Sequence, residues 1–96
     1  MNIKYLKIAR EEFHDAIKYY ETQQNGLGEK FQSDIRSSIL RIKEFPDAYI
    51  NVKENVRRCV IHKFPYNILY SIKENYILII AIAHQHRQPD YWVDRV

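Results

Sequence analysis

The spacing of apolar side chains changes period once along this chain, and that change restricts the folds open to it. From about Lys7 the apolar residues recur every three or four positions. Ala9, Phe13, Ala16, Ile17 and Tyr20 form one stripe, the pattern of a helix with a single buried face. Glu11, Glu12 and Asp15 stand near its start, where the helix dipole favours negative charge. Gln23-Gln24-Asn25-Gly26 closes it, with Asn25 or Gly26 suited to a left-handed C-terminal position. A second stripe follows in Leu27, Phe31, Ile35, Ile39 and Ile42, ended by Phe45-Pro46. Two helices joined by so short a turn lie antiparallel.

After a polar connector from Asp47 to Asn55 the period drops to two. Val56 to Lys63 is a predicted strand. Tyr66 to Lys73 is another, with Tyr66, Ile68, Tyr70 and Ile72 on one face and Asn67, Leu69 and Ser71 on the other. Glu74-Asn75 reads as a two-residue hairpin turn, Asn being able to take positive φ. Tyr76 to His84 is apolar on both faces, which predicts an interior strand, and Asn2 to Leu6 adds a short first one. The predicted order is β-α-α-β-β-β: an α+β domain whose helical hairpin packs on one face of a mainly antiparallel sheet.

Length and composition bound the rest. Ninety-six residues, 46% hydrophobic and 28% charged, with two glycines and three prolines, suit one globular domain over residues 1–96. No apolar run reaches the length of a membrane span. The N-terminal segment mixes charged and apolar residues, unlike a signal peptide. Cys59 is the single cysteine, so no intrachain disulfide is expected and a reducing cytoplasm is the expected setting. Residues 1–50 hold eight basic and eight acidic side chains, whereas residues 51–96 hold seven and four, with His62, His84 and His86 besides. A basic half predicts a surface that faces something anionic, either nucleic acid or an acidic protein segment.

No phosphate loop, nucleophile elbow, zinc-protease helix or paired-cysteine motif occurs. Gly26-Leu27-Gly28 joins two helices and reads as turn chemistry rather than a dinucleotide fingerprint. His84-Gln85-His86 could present two imidazoles on one strand face, but only His62 is at hand to join them, so neither metal nor cofactor is expected. Cys59 reads as a small buried hydrophobe. The cationic residues are more informative. Arg57 and Arg58 are adjacent on a strand and leave opposite faces, and periodicity leaves open which of them faces out. Lys63 ends that strand, and His84, His86 and Arg87 end the last one, with Tyr91 and Trp92 close behind. If those ends meet, they form a cluster suited to phosphate contacts and base stacking, or to an acidic peptide laid across an open sheet face. Tyr91 and Trp92 also suit tail anchors that pack the C-terminus onto the core.

A set of short motifs then occurs in a familiar order: Tyr19-Tyr20-Glu21, Gly26-Leu27-Gly28 with Phe31, Phe45-Pro46, Arg57-Arg58, Phe64-Pro65-Tyr66, Tyr70, His84, Arg87-Gln88-Pro89, Tyr91-Trp92 and Arg95. The chain resembles the ParE branch of the RelE/ParE superfamily, the toxic halves of type II toxin–antitoxin modules, over essentially its whole length. The resemblance implies the fold just described and a cognate acidic antitoxin that wraps the toxin. Its expected docking surface is the basic second half with Leu69 on the open face and Tyr91-Trp92. DNA would be contacted only through the antitoxin.

Targets differ within the superfamily. ParE-like members poison DNA gyrase by binding it, whereas RelE-like members cut messenger RNA on the ribosome with Arg, Lys, His or Tyr side chains. The ribonuclease pattern places an Arg directly after the first aromatic of the strand matching Tyr66–Ile72. Here that residue is Asn67, which cannot supply cationic stabilisation. The resemblance therefore implies a gyrase-binding toxin with no catalytic residues of its own, in which Arg57, Arg58, Lys63, Asn67, Leu69, His84, Arg87, Tyr91 and Trp92 form the surface for target or antitoxin. The alternatives are a ribonuclease built on His84, His86, Arg87 and Tyr91, or a weakly toxic relative that stabilises its module.

Overall fold

The computed structural model describes all 96 residues. The elements are β1 (Asn2–Tyr5), α1 (Lys7–Gln23), α2 (Leu27–Glu44), β2 (Ile50–Lys53), β3 (Val56–Val60), β4 (Tyr66–Ile72) and β5 (Tyr76–His84), with short 3-10 turns at Pro46–Ala48 and Val93–Arg95. The five strands form one sheet in the order β1-β5-β4-β3-β2. β1 runs parallel to β5 and every other pair is antiparallel. The helical hairpin packs on one face of the sheet, as the two periods require. β5 lies between β1 and β4, in the interior position that its apolar faces predicted. No helix is long and apolar enough to cross a membrane.

The connector expected from Asp47 to Asn55 contains an additional strand, β2. Its four residues have only Ile50 and Val52 as apolar members and lie at the sheet edge, largely exposed, so burial imposed little pattern on them. Glu74-Asn75 makes the predicted two-residue hairpin turn between β4 and β5, closed by the Lys73 N–H donating to the Tyr76 carbonyl at 2.8 Å, but without positive φ; that conformation occurs instead at Glu54-Asn55, with φ of 44° and 66°. Two successive positive φ values make the turn whose twist matches a β-hairpin, and here that turn joins β2 to β3. α1 begins at Lys7, so Glu11 and Glu12 lie beyond the first turn and Glu12 is free for another role.

The quoted motifs around the helical turn have a mechanical reason. Gly26 adopts φ of 85°, open to glycine at little cost. A Cβ on Gly28 would lie 2.7 Å from the Ile17 carbonyl oxygen, so glycine there lets α2 start against α1. The Glu21 carboxylate accepts the Gly26 N–H at 3.0 Å and the Gly28 N–H at 3.1 Å, satisfying the first donors of α2 from the preceding helix. The main core lies between hairpin and sheet and includes Phe13, Phe31, Ile35, Ile42, Ile68, Tyr70, Ile77 and Ile79. Between Ile79 and Ala81 the register with β4 slips by one residue at Ile80. That bulge turns both Ile80 and Ala81 to the second face, where they join Val56, Leu69, Ala83 and Trp92 in a smaller apolar cluster.

Candidate functional site

On the sheet face away from the helices, registered strands bring two polar residues, Arg58 and Asn67, over one floor. Arg58 of β3 pairs with Leu69 of β4, and Leu69 with Ala81 of β5; one step along, Asn67 pairs with Ala83. The chain then turns back after His84, and residues 85–92 close the space from above. The resulting cavity, about 200 Å³, is lined by Arg58, Asn67, His84, Gln85, Arg87 and Asp90 over Val52, Leu69, Ala83 and Trp92. Asp90 takes φ of 61°, which turns the chain sharply before Tyr91 and Trp92.

The two adjacent arginines separate by function. Arg57 faces the helix side, where it donates to the Tyr49 carbonyl at 2.6 Å and lies 3.7 Å from the Asp47 carboxylate. It fastens the turn after α2, as does the Tyr70 hydroxyl, which donates to the Pro46 carbonyl at 2.6 Å. Arg57 is therefore structural and leaves the expected binding surface. Arg58 is the exposed one and lines the cavity. Lys63 also leaves the cluster: it borders a groove along α2 with Asp34, Ser37 and Phe64, because β3 ends at Val60 and the chain turns toward the helices before Lys63. Leu69 and Trp92, expected as exposed docking positions, retain only 3% and 5% of their accessible surface. The C-terminal tail folds over the face that was expected to be open, and Trp92 is its anchor.

What holds the tail is a site the sequence did not reveal. Glu12 of α1 accepts the Tyr91 hydroxyl at 2.6 Å, both terminal nitrogens of Arg95 at 2.8 and 2.9 Å, and the Ile82 N–H of β5 at 3.1 Å. Arg95 also donates to the Ile80 carbonyl at 3.1 Å. β1 pairs with β5 only as far as Ile79, so this arrangement satisfies backbone groups on the remaining free edge. Burial, with Glu12 beside it, pushes the Tyr91 phenol above its ordinary 10.0, and the Glu12 hydrogen bond raises Arg95 further. No local pattern joins Glu12 to Arg95; the only hint was a carboxylate near an apolar helix face.

The ribonuclease set is only partly assembled. His84 and Arg87 line the cavity, and Arg87 stacks on the Tyr91 ring at 3.8 Å. His84 Nδ1 accepts the His86 N–H at 3.0 Å, and the exposed His86 ring packs against His84 without lining the cavity. The Tyr91 hydroxyl is bound to Glu12 and harder to ionise than a free phenol, so it is poorly placed to act as an acid or base. Cys59 is buried in the core, and burial raises its thiol, opposite to what a nucleophile needs. No group of three or more His, Cys, Asp or Glu is placed to hold a metal ion.

A family model, the ParE toxin of the type II toxin–antitoxin system parDE, matches residues 3–89. The chain belongs to this family. Tyr91, Trp92 and Arg95 lie beyond the matched residues, so the tail and its anchor are features of this ParE-family chain outside that match. No curated protein sequence matches it. Nine solved chains are similar in structure. One of them, titled "Chromosomal ParDE TA system from P. aeruginosa", is 16% identical with a TM-score of 0.63, over 88% of this chain and 95% of that one. At that identity the likeness speaks for the fold, and the fold is the one the two apolar periods predicted.

Proposed function

We propose that this ParE-family chain arrests growth in the cytoplasm by binding DNA gyrase, performs no chemistry of its own, and is silenced by a cognate acidic antitoxin. The observation that carries the choice of gyrase over messenger RNA is Asn67. It stands on the wall of the cavity beside Arg58, His84 and Arg87, where a ribonuclease of the superfamily would place its phosphate-stabilising arginine. An amide offers no positive charge to a pentacovalent phosphorane. The commitment of the Tyr91 hydroxyl to Glu12 removes a second group from the catalytic alternative. The antitoxin would approach the basic face, and its own DNA-binding part would make whatever contact the complex has with DNA.

One observation favours the ribonuclease as the second reading: His84, Arg58 and Arg87 do converge on one cavity. Pulse-labelling of DNA and protein synthesis just after inducing the chain without antitoxin separates the two. DNA synthesis falling first is the expected result. Protein synthesis falling first overturns the gyrase reading and makes His84 and Arg87 the residues to replace, and no fall in either identifies the weakly toxic relative.

A further inference from the structure

The chain has two ion pairs, Arg57–Asp47 and Arg95–Glu12, and neither uses Arg58 or Arg87. Both of these guanidiniums border the same cavity, with Asp90 the only carboxylate among its lining residues. Two cations against one anion leave one positive charge unmatched at a concave, partly enclosed place, where such a charge acts more strongly than on open surface. Arg87 is held by its stacking on Tyr91, and Tyr91 by Glu12, so the guanidinium is positioned before any ligand arrives. Below the charges the lining is apolar: Val52, Leu69, Ala83 and Trp92.

We propose that this cavity seats an acidic peptide side chain: one Glu or Asp carboxylate bound by Arg58 and Arg87, with an apolar neighbour of the same peptide against the half-buried Val52. The inference deepens the reading of the chain as a toxin with an acidic partner, and rests on it. Guanidinium and carboxylate are matched in planar geometry and charge. A monoanion balances the local excess, and the apolar floor rewards a side chain beside it. A nucleic-acid backbone would instead bring hydrated sugar to that floor and further phosphates toward Asp90. β2, adjacent through Val52, has a neighbour on one side only, so an extended peptide reaching the cavity passes an open strand edge.

Trp92 is the only tryptophan of the chain, so its fluorescence reports on the cavity directly. The full chain is titrated with a short capped peptide alternating Glu and Leu, with the same peptide carrying Gln for Glu, and with a single-stranded oligonucleotide. The Glu peptide is expected to change the Trp92 signal saturably, and the Gln peptide to bind at least about tenfold more weakly. Arg58→Met and Arg87→Met are each expected to weaken the Glu peptide by about tenfold while the chain stays folded by circular dichroism. Equal binding of the Glu and Gln peptides, unchanged binding by both variants, or a larger response to the oligonucleotide overturns the proposal. A chain that stops DNA synthesis yet ignores the Glu peptide keeps the toxin reading and loses the carboxylate seat, so the two failures are distinguishable.

Discussion

Replacing Glu12 by Ala tests the account of the tail most sharply. The Glu12 and Arg95 side chains are only 15% and 12% exposed, and Glu12 receives four hydrogen bonds, from Arg95 twice, Tyr91 and the Ile82 amide. Truncation leaves a largely buried guanidinium without its carboxylate and a strand amide without an acceptor. Breaking a buried pair from one side costs about 3–5 kcal/mol; because Arg95 keeps the Ile80 carbonyl, the lower end applies, about 3 kcal/mol. For a domain of this size that lowers the melting midpoint by roughly 12–24 °C. Glu12→Gln, which preserves shape but not charge, is expected to fall about midway. The assay is thermal unfolding by circular dichroism, repeated in an Arg95→Met background. There the Glu12→Ala loss should shrink by at least about 1.5 kcal/mol, since the pair is already broken. A Glu12→Ala midpoint within the roughly 0.5 kcal/mol range of an ordinary surface change, or losses that simply add, refutes the reasoning.

Three further outcomes follow from the same geometry. Gly28→Ala should destabilise by about 1–3 kcal/mol through overpacking, because its Cβ meets the Ile17 backbone oxygen. Gly26→Ala suffers only the cost of φ at 85° in open space, so Asn, which tolerates that conformation, should recover stability at position 26 and not at position 28 in urea melts. The Tyr70 and Tyr91 phenols are raised above their ordinary 10.0, chiefly by burial, so the unfolded chain releases those protons first. Stability should hold level up to about pH 10 and fall above it, as measured by denaturant midpoints across alkaline pH. Cys59, buried and raised, should stay unmodified by thiol reagents until the chain unfolds; rapid labelling of the folded chain contradicts its placement in the core.

The elements whose burial imposed a period were legible in the sequence. Phe13 and Ala16 on α1, Phe31 and Ile35 on α2, and the alternation of Ile68 and Tyr70 on β4 all face the core where spacing placed them. β2 escapes a reading by period because an exposed edge strand needs no apolar alternation, and without a visible strand before it Glu54-Asn55, the same dipeptide as Glu74-Asn75, does not read as a hairpin turn. Site residues were legible where they belong to registered strands: Arg58, Asn67 and His84 do meet at one cavity with Arg87. Leu69 was assigned to the correct face and the wrong exposure, since nothing local says that a tail will cover that face. The Glu12–Tyr91–Arg95 arrangement spans nearly the whole chain, and only the packing of α1 beside β5 brings its members together.

The central claim, a toxin that acts by binding rather than by cutting RNA, is tested most directly with the purified chain in two parallel reactions. One contains DNA gyrase and relaxed plasmid, the other ribosomes on a defined messenger. The account predicts that supercoiling is inhibited while the messenger stays intact. Undiminished supercoiling together with cleavage of the ribosome-bound messenger contradicts it.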